Sequence, residues 1–305
     1  MGNTLGTTNG ILIAQKALAT LLAQLPVLKK ITTDFSDEKA KFNQQVITHV
    51  VTAAAAIDFD PAAGYVASER VQVDVPVTIN KHKHHTYQIG VQEASSTAIN
   101  LIDRFALTAA YSIGSALVAD LCALVTAANF PNKTVIALGA GGDGFDRKGL
   151  IKIGVNLGAR FVPPMGRFAL LNGAYYGSLC NDLTVVAQLY NAGQNAIQTG
   201  QLSNVHGFDV AEYVSLPANA QSLVGFAGTA EGLVLATRIP DDPGVGSANC
   251  DIYVVTDPDS GISIQVREWY NADMGQFKRT YTLMYGVAKG VANAIERIGS
   301  AADPA

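Results

Sequence analysis

The most constraining feature of this sequence is an alternation of apolar and polar residues from position 71 to position 91. Apolar side chains occupy most odd positions and polar side chains most even ones, which is the period of a β-strand. The exceptions are Pro76, which cannot donate to a sheet hydrogen bond, and the polar residues Lys83 and His85. At ~3.3 Å per residue the segment would reach on the order of 70 Å, against ~3 to 10 residues for common strands. It therefore cannot lie wholly inside one compact domain.

A second β-prone segment, residues 45–59, precedes this predicted strand. Residues 60–68 between them are mostly small and begin with Asp60-Pro61, which is typical of a turn. The two segments therefore predict a long two-stranded hairpin. Because an isolated hairpin is only marginally stable in water, we expect this one to lie on another subunit.

A long helix is predicted for residues 95–129. Its apolar side chains recur three or four positions apart, so they share one face of the helix. Ser95 or Ser96 can cap its N-terminus, and Pro131 stops it shortly after Asn129. At ~1.5 Å per residue the helix would be about 50 Å long. A helix of this length is expected to support other parts of the fold.

The N-terminal region is predicted to be an arm. Leu18, Leu21, Leu22 and Leu25 lie on one face of a predicted amphipathic helix that Pro26 ends. Residues 29–42 are charged and irregular in pattern, which favours a polar connector. The Leu-rich face requires an apolar surface to lie on.

The remainder of the chain predicts a mixture of short strands and helices, which is the α+β class. Strands are expected at residues 134–138, 167–171, 205–216 and 222–236; helices at 147–157, 174–180 and 184–190; and loops at 139–144 and 240–246. Near the end, alternating residues on either side of a turn at 271–275 predict an antiparallel hairpin.

Composition excludes some classes of protein. A hydrophobic content of 49% suffices for a core, and a net charge of -4 argues against a dedicated nucleic-acid binder, which needs clustered basic residues. Three cysteines far apart in sequence favour reduced, inert thiols in a cytoplasm. No signal peptide is recognisable and no window approaches the ~18 to 20 uninterrupted apolar residues of a membrane helix, so no membrane partner is expected.

Motifs for catalysis or cofactor binding are weak. Gly139, Gly141 and Gly144 fit a dinucleotide-binding G-x-G-x-x-G loop, but the acidic residue expected ~20 positions later is missing. His82 and His84 share a strand face, yet no third metal ligand is spaced nearby. We therefore predict no catalytic site, no cofactor and no metal, and keep a dinucleotide-binding enzyme as a distant alternative.

Several segments resemble one protein family. Residues 161–171 (FVPPMGRFALL), followed by Tyr175-Tyr176, are similar to the Pro-x-x-x-Arg strand and Tyr-bearing helix of tailed-phage major capsid proteins of the Hong Kong 97 fold. Gly207-Phe208-Asp209-Val210 resembles the family's Gly-Phe-x-Val strand. Residues 225–238 and 266–286 are similar to its C-terminal region. The resemblance extends over about residues 46–299.

The resemblance implies a domain organisation. It assigns residues 1–44 to an N-terminal arm, 45–92 to the extended hairpin called the E-loop, 93–133 to the peripheral domain with its spine helix, 134–250 to the axial domain, 251–286 to a peripheral-domain hairpin, and 287–305 to a return into the axial domain.

The resemblance also implies a structural protein that is not an enzyme. Subunits would form pentamers and hexamers of an icosahedral virion shell around double-stranded DNA, after synthesis in the host cytoplasm. Partners would be a separate scaffolding protein and a portal, with or without a cement protein; an encapsulin-like compartment of the same fold is the alternative. Residues 60–70 contain no Lys, so covalent Lys-to-Asn crosslinking through this tip is not expected. Expected intersubunit contacts are Leu18, Leu21, Leu22, Leu25, Glu69, Arg70, Val73, Val75 and Trp269.

Overall fold

The computed structural model describes residues 13–15, 18, 26–51, 58–62, 64–65, 72–96, 101–139, 144–182, 202, 204–243, 250–256 and 261–303. The helices are α1 Val91–Ser96, α2 Leu101–Cys122, α3 Arg147–Ala159 and α4 Gly173–Cys180. The strands are β1 Thr32–Ala40, β2 Gln45–Val51, β3 Gln72–Thr78, β4 Lys81–Gly90, β5 Lys133–Val135, β6 Arg167–Leu171, β7 Asn204–Val205, β8 Phe208–Glu212, β9 Leu223–Gly228, β10 Leu233–Pro240, β11 Asp251–Thr256, β12 Ser263–Asn271, β13 Gln276–Lys289 and β14 Ile295–Gly299.

The first sheet is built around β13. This strand pairs antiparallel with β4 along one side and with β12 and then β10 along the other. Its alternation places Tyr281, Leu283 and Tyr285 in the core that also contains the apolar face of α2. The predicted late hairpin is thus confirmed as β12 and β13, with β11 and β1 added outside β12 and β10.

Helix α2 is shorter than the predicted helix over residues 95–129. It ends at Cys122, where the side-chain amide of Asn219 donates to the carbonyls of Cys122 and Val125 at 3.0 and 2.8 Å. These bonds satisfy acceptors that helix propagation would otherwise use. At ~1.5 Å per residue α2 is about 33 Å long.

Helix α2 is also apolar and long enough, over Arg104–Cys122, to cross a membrane, contrary to the sequence expectation that no segment qualifies. Half of that stretch is buried inside this chain. Its buried face belongs to the same core as β4 and β13, as in the core helix of a globular protein.

The second sheet has the order β5, β14, β9, β6, β8, β7. Helices α3 and α4 supply its core together with Phe145 and Phe208. Asp146 caps α3 by accepting from the Gly149 amide at 3.0 Å, and Asn172 caps α4 by accepting from the Tyr175 amide at 3.0 Å. The predictions of α3, β6 and α4 are confirmed, whereas the helix predicted at 184–190 lies outside the described residues.

The chain changes sheets twice after β8. It leaves the second sheet when β9 ends at Gly228 and enters the first when β10 starts at Leu233. It returns with β14, which pairs parallel to β5 and antiparallel to β9. The boundary predicted at residue 250 therefore does not coincide with a change of sheet.

The strand predicted over residues 71–91 is two strands. Strand β3 pairs with β2, whereas β4 pairs with β13. Between them Ile79 is buried, and its amide donates to the carbonyl of Gln44 at 2.9 Å. The single strand of about 70 Å was wrong because the chain passes from the hairpin into the sheet at this point.

Residues 29–42 are not an irregular connector. Most of them form β1, which pairs parallel with β10 from Thr32 opposite Val234 onward. The Arg238 guanidinium donates to the Asp34 carboxylate at 2.9 Å and fastens the two strands together. Pairing with a distant strand, and not a local pattern, makes this segment extended.

Gly286 allows the base of the β2–β3 hairpin to sit on the first sheet. A Cβ at this position would lie 2.2 Å from the Thr78 carbonyl oxygen. We predict that Gly286→Ala lowers the free energy of unfolding by about 1–3 kcal/mol, because backbone must move to admit the methyl group. Urea unfolding followed by Trp269 fluorescence measures it. Gly90→Ala is the control, since a Cβ there meets nothing within 4 Å; equal losses in both variants would contradict the packing argument.

An ion-pair cluster fastens the C-terminal segment to the second sheet. Asp303 accepts from Arg297 at 2.7 Å and from Lys133 at 2.6 Å, and these bonds hold the pKa of its carboxyl well below the ordinary range. A lowered folded pKa stabilises the protein above the unfolded value near ~4, and this contribution is lost as the pH falls below that value.

We therefore predict that Asp303→Asn lowers the free energy of unfolding at pH 7 by about 1 kcal/mol, a value discounted because the carboxylate contacts water. Urea unfolding of both proteins between pH 7 and pH 3 should show the difference shrinking on the acid side. A difference that stays constant to pH 3 would contradict the ion-pair account.

Candidate assembly surfaces

The tip of the hairpin presents two aromatic rings to solvent. Phe59 and Tyr65 have ring centroids 4.9 Å apart and are 58% and 95% exposed. A tight turn holds them together: the Gly64 amide donates to the Asp60 carbonyl at 2.8 Å, and the Ala62 amide to the Asp60 carboxylate at 2.9 Å. Gly64 has a φ of +70°, which glycine adopts without strain. Exposed paired rings on a braced turn can bind another protein surface.

The expected contact residues have different positions. Leu18 is buried in the core of its own chain, and Val75 is buried against β10 and β13, so neither leaves side-chain surface for a second subunit. This corrects the expectation for these two residues, whose apolar character serves intrachain packing. Val73 pairs with Val50 in the hairpin ladder. The remaining expected contacts of the arm and the tip lie outside the described residues. They are Leu21, Leu22, Leu25, Glu69 and Arg70.

Trp269 lines an open groove on the face of the first sheet opposite α2. The groove has a volume of about 420 Å³. Its floor consists of side chains from three adjacent strands, β4, β13 and β12, and residues 240–243 form part of its wall. The other lining residues are His82, His84, Thr86, Gln265, Arg267, Thr280 and Thr282.

Polar side chains in this groove pair with one another across the strands. The His82 imidazole Nε2 and the Thr282 hydroxyl are 2.7 Å apart, and Arg267 forms an ion pair with Asp242. Burial and the neighbouring His84 lower the pKa of His82, so this ring is neutral at pH 7. The two histidines share a face as predicted, but no group of three metal-ligating side chains occurs among the described residues.

A third surface follows α3, in the segment that carries the family resemblance. Phe161 and Met165 are 95% and 85% exposed, and Val155 on α3 is exposed as well. The Arg167 guanidinium holds this loop by donating to the carbonyls of Val162, Pro163 and Gly154 at 2.6, 3.0 and 3.1 Å. Burial lowers the pKa of Arg167.

Phe161 has a φ of +61°, which is an unfavourable backbone conformation for a bulky residue. Because its ring is exposed, packing of the ring does not offset the energetic cost of this conformation. Sequence reasoning did not single out this loop as a contact surface.

A fourth surface, which is apolar, lies at the turn between β12 and β13. Tyr270, Met274 and Val91 are exposed there, and the Val91 amide donates to the Gly275 carbonyl at 3.1 Å. This bond holds the start of α1 beside the turn. The exposed apolar residues thus occur in separate segments of the chain, an arrangement that can serve several protein contacts.

The glycine-rich loop does not offer a free phosphate site at the start of α3. Residues 140–143 lie outside the described residues. Two carboxylates already use the amides of the first turn: Asp146 accepts from Gly149 and Asp182 accepts from Arg147, both at 3.0 Å. A pyrophosphate would have to displace two negative groups from these donors.

No family model matches the sequence, and no curated protein matches it. Several solved structures, however, are similar to this chain. The capsid of the cyanophage P-SCSP1u is 9% identical, over 90% of this chain and 87% of its own, with a TM-score of 0.58. The capsid of Ralstonia phage GP4 is 12% identical, over 90% of this chain and 87% of its own, with a TM-score of 0.57.

A virus-like particle from Pyrococcus furiosus is 12% identical, over 93% of this chain and 98% of its own, with a TM-score of 0.50. The predicted fold is thereby confirmed: the chain has the α+β Hong Kong 97 fold of phage capsid proteins.

Proposed function

We propose that this chain is the major capsid protein of a tailed phage and that it assembles with copies of itself into a closed virion shell. The observation that carries the proposal is the capsid fold, which accounts for about nine tenths of this chain and of the proteins that it matches. The exposed apolar surfaces support it, because they would be liabilities on a protein that remained monomeric.

The proposed subunits form pentamers and hexamers of an icosahedral shell around double-stranded DNA. The first sheet with α2 would be the peripheral domain and the second sheet the axial domain. The net charge of -4 supports a lining that contacts DNA without holding it tightly. A separate scaffolding protein and a portal would take part in assembly, and the protein would be made in the host cytoplasm.

The hairpin would lie over an adjacent subunit. Between Gln45 and Asp60 the chain can span up to about 50 Å when extended, enough to carry Phe59 and Tyr65 beyond their own subunit. Burying these two rings would contribute about 25 cal/mol per Å² of apolar surface removed from water. Rigid bracing of the turn reduces the entropy lost on docking.

An encapsulin-like compartment is the second candidate. The match to the Pyrococcus furiosus virus-like particle favours it, although its TM-score is lower than those of the two phage capsids. A dinucleotide-binding enzyme is disfavoured, because carboxylates occupy the amides at the start of α3.

Electron microscopy of the purified protein, with nuclease digestion and analysis of protected nucleic acid, tests the proposal. Icosahedral particles that protect double-stranded DNA are the expected result when the protein is produced with its phage packaging proteins. Particles filled with protein cargo would favour the compartment. Both the capsid proposal and the compartment proposal would be overturned if only small oligomers formed at several salt concentrations and with scaffolding protein added.

A further inference from the structure

Helix α3 and the loop after it present a surface that is basic at one end and apolar at the other. Lys148, Lys152 and Val155 are spaced four and three positions apart, so they share one side of the helix, and all three are exposed. Phe161 and Met165 extend this surface beyond the end of the helix. We refer to these five residues as the α3 face. A partner that covers the whole face needs both negative charge and apolar area.

The two lysines of the α3 face are not used within the chain. In the part of the chain that the structure describes, neither Lys148 nor Lys152 forms a hydrogen bond or an ion pair. Arg160, at the end of the same helix, does pair, with Glu296 at 2.6 Å. Residues 147–181 contain five basic residues and no acidic residue, in a chain whose net charge is -4. The lysines are therefore free to meet carboxylates of another molecule.

The apolar end of the α3 face is held in one conformation. Arg167 fixes the loop through three backbone carbonyls, and Phe161 keeps a φ of +61° with its ring 95% exposed. The subunit gains no burial of this ring in return for the unfavourable backbone conformation. Residues held in such conformations cluster at ligand contacts and switch regions. This observation is independent of charge and also points to a contact made by the loop.

The tip of the β2–β3 hairpin has the matching composition. Residues 52–68 contain two acidic residues, Asp58 and Asp60, and no basic residue. Both are exposed; the Asp58 carboxylate has no partner among the described residues, and the Asp60 carboxylate accepts from a backbone amide within the turn. They flank Phe59, whose ring lies beside that of Tyr65. The tip thus presents carboxylates and apolar rings together, on a turn that is already braced.

We propose that the hairpin tip of one copy docks on the α3 face of an adjacent copy. Its two rings lie against the apolar end of that face, and its two carboxylates lie beside the two lysines. A second copy is the occupant because the same chain carries both surfaces, each with exposed apolar side chains and with charges that have no ion-pair partner in the subunit. The inference rests on the proposed self-assembly and names the surface that receives the tip.

The groove at Trp269 would receive the tip less well. Its lining is mostly polar, so it offers the two rings little apolar surface. The only lysine or arginine among its described lining residues is Arg267, which already pairs with Asp242. The tip carboxylates would therefore meet a cation whose charge is already compensated.

The contact is too small to hold two isolated copies together. Aromatic side chains bury roughly 150–250 Å² each, so the exposed parts of Phe59, Tyr65 and Phe161 amount to roughly 400–600 Å². Stable pairwise interfaces bury about 1,200–2,000 Å². A contact between unlike surfaces repeats from copy to copy, however, and closes into rings in which each copy is held by its neighbours. The contact is therefore expected in particles and not between dilute subunits.

Zero-length crosslinking identifies the receiving surface directly. Unassembled subunits with natural and ¹⁵N isotopes are mixed, assembled, treated with a carbodiimide, digested and analysed by mass spectrometry. The expected product joins Asp58 or Asp60 of one isotope to Lys148 or Lys152 of the other. The same mixture kept dilute and unassembled is the control and should give no mixed-isotope product. Particles in which the tip is joined to a lysine of the first sheet, or to no lysine, would overturn the inference.

Charge exchange provides a second test, with particle yield as the readout. Lys148→Glu with Lys152→Glu is expected to lower the yield about tenfold, equivalent to ~1.4 kcal/mol. Lys148→Arg with Lys152→Arg keeps the charge and is the matched control, which should assemble normally. Adding Asp58→Lys to the glutamate pair should restore assembly, and circular dichroism checks that every variant is folded.

The outcomes separate the contact from the proposed function. Equal yields from the glutamate and arginine variants, or no recovery with Asp58→Lys, would show that the tip does not dock on the α3 face although shells form. If the unaltered protein forms no particles, the proposed function fails and the contact that rests on it falls too.

Discussion

Replacing Arg279 with methionine is expected to lower the free energy of unfolding by about 3–5 kcal/mol, because it removes one partner of a buried ion pair. The Arg279 side chain is 2% exposed, and its guanidinium carbon lies 5.9 Å from the ring centroid of Tyr281, a residue of the core. Its guanidinium donates to the Glu268 carboxylate through Nε at 2.5 Å and to the Tyr253 hydroxyl at 2.9 Å. Without it, Glu268 remains an uncompensated carboxylate under the sheet.

The surroundings of Arg279 keep it charged. Burial alone would lower its pKa, but Tyr281, Tyr87 and Glu268 raise the pKa above the ordinary value. Burial likewise raises the pKa of Tyr281 and keeps its hydroxyl neutral. The charge of the network therefore does not change through the physiological pH range, and its contribution should be constant there.

Lys39 provides the control. It lies on β1 of the same sheet and pairs with Asp241 at 3.3 Å, and the two side chains are 52% and 60% exposed. Lys39→Met should cost no more than about 1 kcal/mol, as for an exposed ion pair. Both losses are measured by urea unfolding of the unassembled subunit, with Trp269 fluorescence as the signal. Comparable losses for the two variants would show that burial is not what makes Arg279 important.

Replacing residues 60–70 with two glycines is expected to leave the subunit folded and to abolish stable particles. The base of the hairpin, where Val75, Val77 and Ile79 pack against the sheet, is retained. The change removes Tyr65 and the braced turn, which support the proposed contact with an adjacent subunit. Circular dichroism and urea unfolding report on the subunit, and electron microscopy reports on particles. Normal yields of unchanged particles would contradict the E-loop assignment.

A double variant separates the rings from the loop that carries them. Phe59→Ser with Tyr65→Ser keeps the Asp60–Gly64 turn, whose hydrogen bonds come from backbone and from the Asp60 carboxylate. Because both rings are exposed in the subunit, its free energy of unfolding should change by less than about 0.5 kcal/mol. Particle yield should fall about tenfold, for ~1.4 kcal/mol of lost contact. A loss of subunit stability would show instead that the rings pack within the chain.

Parts of the fold follow from local pattern alone. Helix α3 has its apolar residues on one face and a capping aspartate, and the β12–β13 hairpin alternates on both sides of a turn. Strand β6 has the predicted bounds. In each case the residues that determine the element lie within it or beside it. The resemblance to the capsid family also lay in short contiguous motifs, and the fold that it implied is confirmed.

The candidate site was less predictable. Trp269 was expected at an interface and lines the groove, but the groove is assembled from strands that lie nearly 200 positions apart in the chain. The identity of an apolar residue does not show whether its side chain is buried in the fold. Leu18 and Val75 were therefore assigned to intersubunit contacts, while Phe161 and Met165 were not. Only the packing of the folded chain shows that the first two residues are buried and the last two are exposed.

The sequence by itself determined the composition of the fold: a strand-rich α+β chain with a hairpin, a long apolar helix and a family likeness, because periodicity and turn residues act locally. The tertiary structure decided where elements end and which edges and side chains remain exposed. Hydrogen bonds from Asn219 in a remote loop end α2, the buried Ile79 divides the long alternating segment, and pairing with β10 makes residues 32–40 a strand. These outcomes depend on hydrogen bonds and burial between residues far apart in the chain, which no local pattern records.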